Sequence, residues 1–68
     1  MDHTDVESSH IKSVGYDRDS RVMEIAFHSG KTYSYEGVPE VIHKGLMSSK
    51  SKGRYHHLYV KKYQGSRL

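Results

Sequence analysis

Hydrophobic and polar residues alternate strictly over residues 22–28, where Met23, Ile25 and Phe27 share one side. A period of two sustained over a whole segment predicts a β-strand with one buried face. Because that face carries three large apolar side chains, we expect it to form the floor on which a helix packs.

A second extended segment precedes this strand, over residues 9–17. Its apolar residues Ile11, Val14 and Tyr16 do not follow simple alternation. An extra residue in a strand corrects such a phase shift, and a glycine is a common site for it. The sequence therefore predicts a strand with a bulge near Gly15, and with Tyr16 in the core.

A third strand is predicted over residues 32–36, where Tyr33 and Tyr35 share a face. Polar residues at 17–20 and a glycine at position 30 separate the three segments and are typical of tight turns. Three such strands in succession predict an antiparallel meander. The two tyrosines have a structural interpretation, as core packing, and a functional one, as a stacking surface for unpaired bases.

The second half of the chain has helical periodicity. Pro39 is suited to a first helical turn, and apolar residues then recur at a spacing of three or four. That apolar stripe consists of Val38, Val41, Ile42 and Leu46. Gly45 lies on the same side, so we expect this helix to approach the sheet closely. Ser51 is a candidate N-cap for a second, shorter and basic helix.

The predicted fold class is therefore α+β, with a three-stranded antiparallel meander in β-β-β-α-α order covered by two helices. Residues 1–8 contain three acids and no periodicity, and they are predicted to form a flexible acidic arm. Residues 9–64 are expected to form a single domain, and residues 65–68 a frayed tail.

Charge is distributed unevenly along the chain. Residues 1–40 contain four Lys or Arg against eight Asp or Glu, whereas residues 41–68 contain seven Lys or Arg and no acid. Such asymmetry indicates a polyanion-binding end, and its alternative is an ordinary solvated basic helix face. The absence of cysteine favours a reducing, cytoplasmic location. The N-terminus has no signal-peptide pattern, and no apolar run is long enough to cross a bilayer.

An ordered set of short motifs resembles one known family. The matching segments are Ser9 to Asp17, Met23 to Phe27, Gly30, Tyr33-Ser34-Tyr35, Val38-Pro39 and Ser51 to Tyr55. Together they resemble the KTSC domain, which is named after a C-terminal extension of some lysyl-tRNA synthetases and also occurs in small bacterial and phage proteins. Where that family tends to have Phe-Asn, this chain has His56-His57. The resemblance implies a role in RNA binding.

The basic and aromatic residues near the C-terminus form the candidate binding site. They are Lys50, Lys52, Arg54, His57, Tyr59, Lys61, Lys62 and Tyr63. Cations for phosphates and aromatic rings for bases are the two components of single-strand recognition. We therefore expect a small binding module for RNA or single-stranded nucleic acid. The alternatives are a module that binds an acidic protein partner, through this patch or through an exposed strand edge, and a purely structural domain.

No catalytic constellation is evident in the sequence. It contains no cysteine nucleophile, no Gly-x-Ser-x-Gly motif and no phosphate-binding glycine-rich loop. The six histidines are scattered over different predicted elements, and the adjacent His56 and His57 would diverge on a helix. The sequence therefore predicts no enzyme activity, no bound metal, no cofactor and no membrane partner.

Overall fold

The computed structural model describes residues 1–68 and contains one antiparallel sheet and two helical regions. The strands are β1 (His3–Asp5), β2 (Ile11–Asp17), β3 (Val22–Phe27), β4 (Thr32–Tyr35) and β5 (Gly65–Arg67). The helices are α1 (Glu40–Ser48) and α2 (Lys52–Tyr55), and α2 continues into a π-helical segment, His56–Val60. The sheet order is β1-β2-β3-β4-β5, which confirms the α+β class and the central meander.

The sheet has five strands and not the three predicted from the sequence. β1 lies within the segment predicted to be a flexible arm, and β5 lies within the predicted tail. β1 pairs with β2, where Thr4 lies opposite Val14, and β5 pairs with β4, where Ser34 lies opposite Ser66. All residues of both outer strands are exposed, so they have no apolar periodicity to detect. Backbone hydrogen bonds pair both strands with the sheet, and the side chain of His3 adds contacts with Ser13 and Glu24 at 2.9 Å.

The predicted bulge is present but lies at a different position. Ile11 pairs with Phe27 and Ser13 pairs with Ala26, so the extra residue is Lys12 and not Gly15. Gly15 has another function, because a Cβ atom there would lie 2.7 Å from Cδ2 of His3. The absence of a side chain at Gly15 therefore leaves room for β1 beside β2.

The core lies between the sheet and the helical regions. Met23 and Ile25 are fully buried and Phe27 is nearly so, which confirms the predicted floor. The stripe on α1 is partly wrong, since Leu46 is fully buried whereas Val41 is 70% exposed. Positions 41 and 46 are five residues apart, and at about 100° per residue their side chains point about 140° apart around the helix axis. A helix that buries Leu46 therefore turns Val41 toward solvent.

The close approach of α1 is directed at α2 and not at the sheet. A Cβ atom at Gly45 would lie 2.8 Å from Cζ of Tyr55. Pro39 occupies the N-cap position of α1, and Ser51 that of α2, where its side chain makes no capping hydrogen bond. The turns follow the prediction: Asp17 Oδ1 accepts the Asp19 amide at 3.0 Å, and Gly30 has a φ of 95°.

Tyr16 fixes the entry to α1. Its hydroxyl donates a 2.6 Å hydrogen bond to the carbonyl of Val38, and its ring stacks on His43 with centroids 4.6 Å apart. The half-buried ring packs against the core cluster without belonging to it, so the predicted core placement of Tyr16 is met only in part.

Removing the Tyr16 hydroxyl is expected to destabilise the fold. The Tyr16→Phe variant leaves the carbonyl of the fully buried Val38 without that donor, which should cost about 1–2 kcal/mol of unfolding free energy. Tyr59→Phe is the matched control, because Tyr59 is 46% exposed. Urea denaturation of both variants measures the difference. Equal stabilities would contradict the assigned role of the hydrogen bond.

Candidate functional site

The largest depression on the molecule is a pocket of about 500 Å³ between the β3–β4 hairpin and the second helical region. The residues that line it are Ser9, His10, Phe27, His28, Ser29, Lys31, Tyr33, Tyr35, Gly53, His56, His57 and Lys61. They come from three distant parts of the chain: the turn before β2, the hairpin, and the segment from α2 to the end of the π-helix.

Backbone contacts hold two walls of this pocket together. The amide of His28 donates to the carbonyl of His10 at 3.1 Å, and Nε2 of His28 hydrogen bonds to the carbonyl of Ser8 at 2.9 Å. Because a carbonyl only accepts, that ring nitrogen carries the proton. The Ser8 hydroxyl in turn accepts from the amides of His10 and Ile11 at 3.2 Å. The turn before β2 is thereby fixed to the hairpin.

The floor of the pocket is aromatic. Phe27 lies at its centre and makes edge contacts with the rings of His10, Tyr33 and His56, with centroids 5.3–5.9 Å apart. Tyr33 and Tyr35 lie side by side with centroids 6.4 Å apart. Both tyrosines therefore contribute to the core and to the pocket, so the structural interpretation holds without excluding the functional one.

A buried hydrogen bond fixes the inner wall. The hydroxyl of Tyr35 and Nε2 of His56 lie 2.7 Å apart, and both side chains are more than 90% buried. Burial, together with the nearby His10 and Lys61, lowers the pKa of His56 to about 4. Burial raises the pKa of Tyr35. Both partners are thus uncharged at neutral pH, and the pair is a rigid, neutral wall.

The rim of the pocket is cationic. Lys31 lies in the hairpin and Lys61 follows the π-helical segment, and no acidic residue lines the pocket. The ion pairs in the structure are elsewhere: His3 with Glu24 at 2.9 Å and Arg18 with Glu40 at 3.9 Å. Neither lysine is therefore neutralised by a carboxylate within ion-pair distance.

A second, polar depression of about 310 Å³ adjoins the pocket. It is lined by Glu7, Ser8, Ser9, His10, Lys50, Ser51, Lys52, Gly53 and Arg54. Ser9, His10 and Gly53 belong to both linings, so the two depressions form one continuous surface. Nζ of Lys52 donates to the carbonyl of Ser49 at 2.8 Å, which holds its stem along this surface.

The structure divides the predicted site residues into three groups. Lys50, Lys52 and Arg54 line the polar depression, and His57 and Lys61 line the pocket. The remaining three line neither depression, namely Tyr59, Lys62 and Tyr63. Tyr59 packs against Tyr55 with ring centroids 4.7 Å apart, and Nζ of Lys62 lies 5.7 Å from the ring centroid of Tyr63.

Sequence reasoning missed part of the pocket. The sequence pattern predicts Phe27 as part of the core floor and indicates no site role for His10, His28 or Lys31. No local signal joins these residues, since they meet only through the pairing of β2 with β3 and the hairpin that follows.

No group of three or more His, Cys, Asp or Glu side chains in the structure is placed to hold a metal ion. None of the helices combines the length and the hydropathy that a bilayer-spanning helix needs.

Comparisons with known proteins agree on one family. The family profile of the KTSC domain matches residues 7–63. A crystal structure of a KTSC domain protein from Yersinia pestis superposes with a TM-score of 0.95 at 43% identity, covering 98% of this chain and 96% of that one.

Two further relatives differ greatly in length. An uncharacterised protein from Stutzerimonas stutzeri is 36% identical over 55 residues, covering 81% of this chain and 78% of the relative. A lysine–tRNA ligase from Trichormus variabilis is 34% identical over 55 residues, but the match spans only 10% of that enzyme. The family profile covers most of the chain and the fold is shared nearly end to end. The chain therefore belongs to the KTSC domain family.

Proposed function

We propose that this protein is a small non-catalytic module that binds RNA or single-stranded nucleic acid. The observation that carries the proposal is the continuous surface formed by the aromatic pocket and the polar depression. It combines seven aromatic or imidazole rings with five Lys or Arg side chains, and Glu7 is its one acidic residue.

The two depressions supply different kinds of contact. Lys50, Lys52 and Arg54 are suited to phosphates, and the guanidinium of Arg54 offers a bidentate contact that a lysine does not. In the pocket, aromatic rings offer stacking surfaces for unpaired bases, each worth roughly 1–3 kcal/mol. A duplex buries its bases, so this combination favours single strands or loops.

The proposed site differs in its residues from the sequence prediction. His57 and Lys61 are retained in the pocket, whereas Tyr59, Lys62 and Tyr63 are left out because they line neither depression. A similar segment of 55 residues occurs in two lysine–tRNA ligases, where it makes up 10% of the enzyme.

The first test is fluorescence anisotropy with labelled single-stranded RNA, single-stranded DNA and a folded tRNA across a range of salt concentrations. We expect the logarithm of affinity to fall linearly with the logarithm of salt, with a slope of about −0.7 per phosphate contacted. An absence of binding to all three at low salt would overturn the proposal. The cationic surface would then be assigned to an acidic protein partner.

A paired charge reversal tests the assigned surface. The Lys50→Glu/Arg54→Glu variant is expected to bind RNA at least tenfold more weakly and to reduce the magnitude of the salt slope by about 1.4, the loss of two phosphate contacts. The matched control is Lys44→Glu/Lys62→Glu, which changes the net charge equally at exposed positions outside both depressions. Circular dichroism checks folding. If the two variants lose affinity equally, binding depends on net charge alone and the site assignment is wrong.

A further inference from the structure

The pocket is a defined concave site, which sequence-independent binding of a strand does not require. Its volume of about 500 Å³ lies within the range of small-molecule sites. The hairpin, the turn before β2 and the π-helical segment border it on three sides, and it is open to solvent. Surfaces that bind strands without sequence preference follow the nucleic-acid backbone along a groove. A depression of this limited size is suited to one unit of a ligand.

The floor is suited to a planar heterocycle. Tyr33 is half-buried at the pocket wall and Phe27 is held by edge contacts with three rings, so the aromatic surface is fixed in advance. The hydrogen bond between Tyr35 and His56 keeps the inner wall rigid and uncharged. A preformed aromatic surface loses little conformational freedom when a base packs on it.

The mouth is suited to a phosphate. Lys31 and Lys61 come from different walls of the pocket and are both exposed. No carboxylate lies in the lining to compete with an anion, and the ion pairs of the structure involve neither lysine. Ser29 and Ser9 add hydroxyl groups to the same lining.

The geometry points to a pocket for a single nucleotide unit, with its base against Phe27 and Tyr33 and its phosphate between Lys31 and Lys61. This inference rests on the proposed function, and it names the ligand that the pocket takes within that function. The shared chemistry is a planar nitrogen heterocycle attached to a phosphate. Its source is either a free mononucleotide or one unpaired nucleotide of a strand.

The test is a titration of the full-length, ¹⁵N-labelled protein followed by NMR. Its ligands are adenosine and uridine monophosphates, the two nucleosides and inorganic phosphate. We expect the monophosphates to shift the amide signals of Ser29, Lys31, Gly53 and Lys61, with at least tenfold tighter binding than the nucleoside or phosphate alone. Equal affinities for monophosphate and inorganic phosphate would overturn the inference, because the aromatic floor would then contribute nothing.

Two pairs of variants locate the site. Lys31→Glu/Lys61→Glu is expected to weaken monophosphate binding at least tenfold, whereas Lys44→Glu/Lys62→Glu should leave it unchanged. Tyr33→Leu should weaken the monophosphate more than inorganic phosphate. Should the Lys31/Lys61 variant, folded by circular dichroism, bind as the wild type does, the phosphate position is wrong.

Binding of a short RNA with one abasic site distinguishes a free mononucleotide from a nucleotide of a strand as the ligand. It also distinguishes failure of this inference from failure of the proposed function. If the abasic position lowers the affinity of a short RNA at least fivefold, the pocket takes a nucleotide of a strand. If strand binding is unchanged while free monophosphates bind, the pocket takes the free mononucleotide. If monophosphates do not bind and the abasic strand binds as tightly as the intact RNA, this inference is wrong and the proposed function stands. Failure of every ligand overturns both.

Discussion

Replacing Leu46 with alanine is expected to lower the free energy of unfolding by about 2–5 kcal/mol. The Leu46 side chain is fully buried in the core cluster, and it is the one residue of α1 that is. Truncation removes apolar contacts and leaves a cavity between α1 and the sheet. For a chain of this length the loss is comparable with the total stability, so a large unfolded fraction is expected at room temperature.

Val41→Ala is the matched control for this prediction. Val41 lies on the same helix and is 70% exposed, so its truncation should change the unfolding free energy by less than about 0.5 kcal/mol. Urea denaturation at neutral pH, followed by circular dichroism, measures both variants. If Val41→Ala were as destabilising as Leu46→Ala, the observed orientation of α1 would be wrong.

Acidification is expected to destabilise the protein before its carboxylates titrate. The pKa of His56 is lowered from 6.5 to about 4 in the folded state, chiefly because the ring is buried. Below pH 6.5 the unfolded chain therefore binds a proton that the folded chain does not. The contribution of His56 to stability is greatest above pH 6.5, falls as the pH drops toward 4, and amounts to roughly 3 kcal/mol at most.

His56→Phe tests this prediction. A phenylalanine ring retains the edge contacts with Phe27 and Tyr35 but has no titrating group. It also removes the hydrogen-bond partner of the Tyr35 hydroxyl, so we expect about 1 kcal/mol lower stability at pH 7. Between pH 6.5 and 4 its stability should fall much less than that of the wild type.

His57→Gln is the control for the pH dependence, because His57 is the exposed neighbour of His56. This variant should keep the wild-type dependence. A smaller residual slope is expected even in His56→Phe, since burial also lowers the pKa of His43. Urea denaturation at closely spaced pH values gives the three curves. An undiminished slope in His56→Phe would show that another group is responsible.

His56 and His57 occupy different environments in the second helical region. The resemblance to the family implies Phe-Asn at the positions of His56 and His57. The structure shows that His56 occupies a buried aromatic position, with its ring against Phe27 and Tyr35, while His57 faces solvent at the pocket. The ring of His56 thus packs in the position of an aromatic residue, and its Nε2 adds one hydrogen bond to the hydroxyl of Tyr35.

The sequence by itself determined the elements whose side chains are buried. Alternation identified β3 and the shared face of Tyr33 and Tyr35, and the three-to-four spacing identified α1. These patterns are visible because burial of one face imposes a period on neighbouring residues. The α+β class, the turn at Gly30 and the KTSC family followed from such local signals.

The tertiary structure alone decided which distant residues meet. The outer strands β1 and β5 consist of exposed residues that pair with the sheet through backbone hydrogen bonds, so no apolar periodicity marks them. The pocket joins His10, Lys31 and Lys61, which are separated along the chain and brought together by strand register and by the course of the helices. Periodicity records which face of an element is buried. It does not record which other element lies beside that face, and that arrangement forms the candidate site.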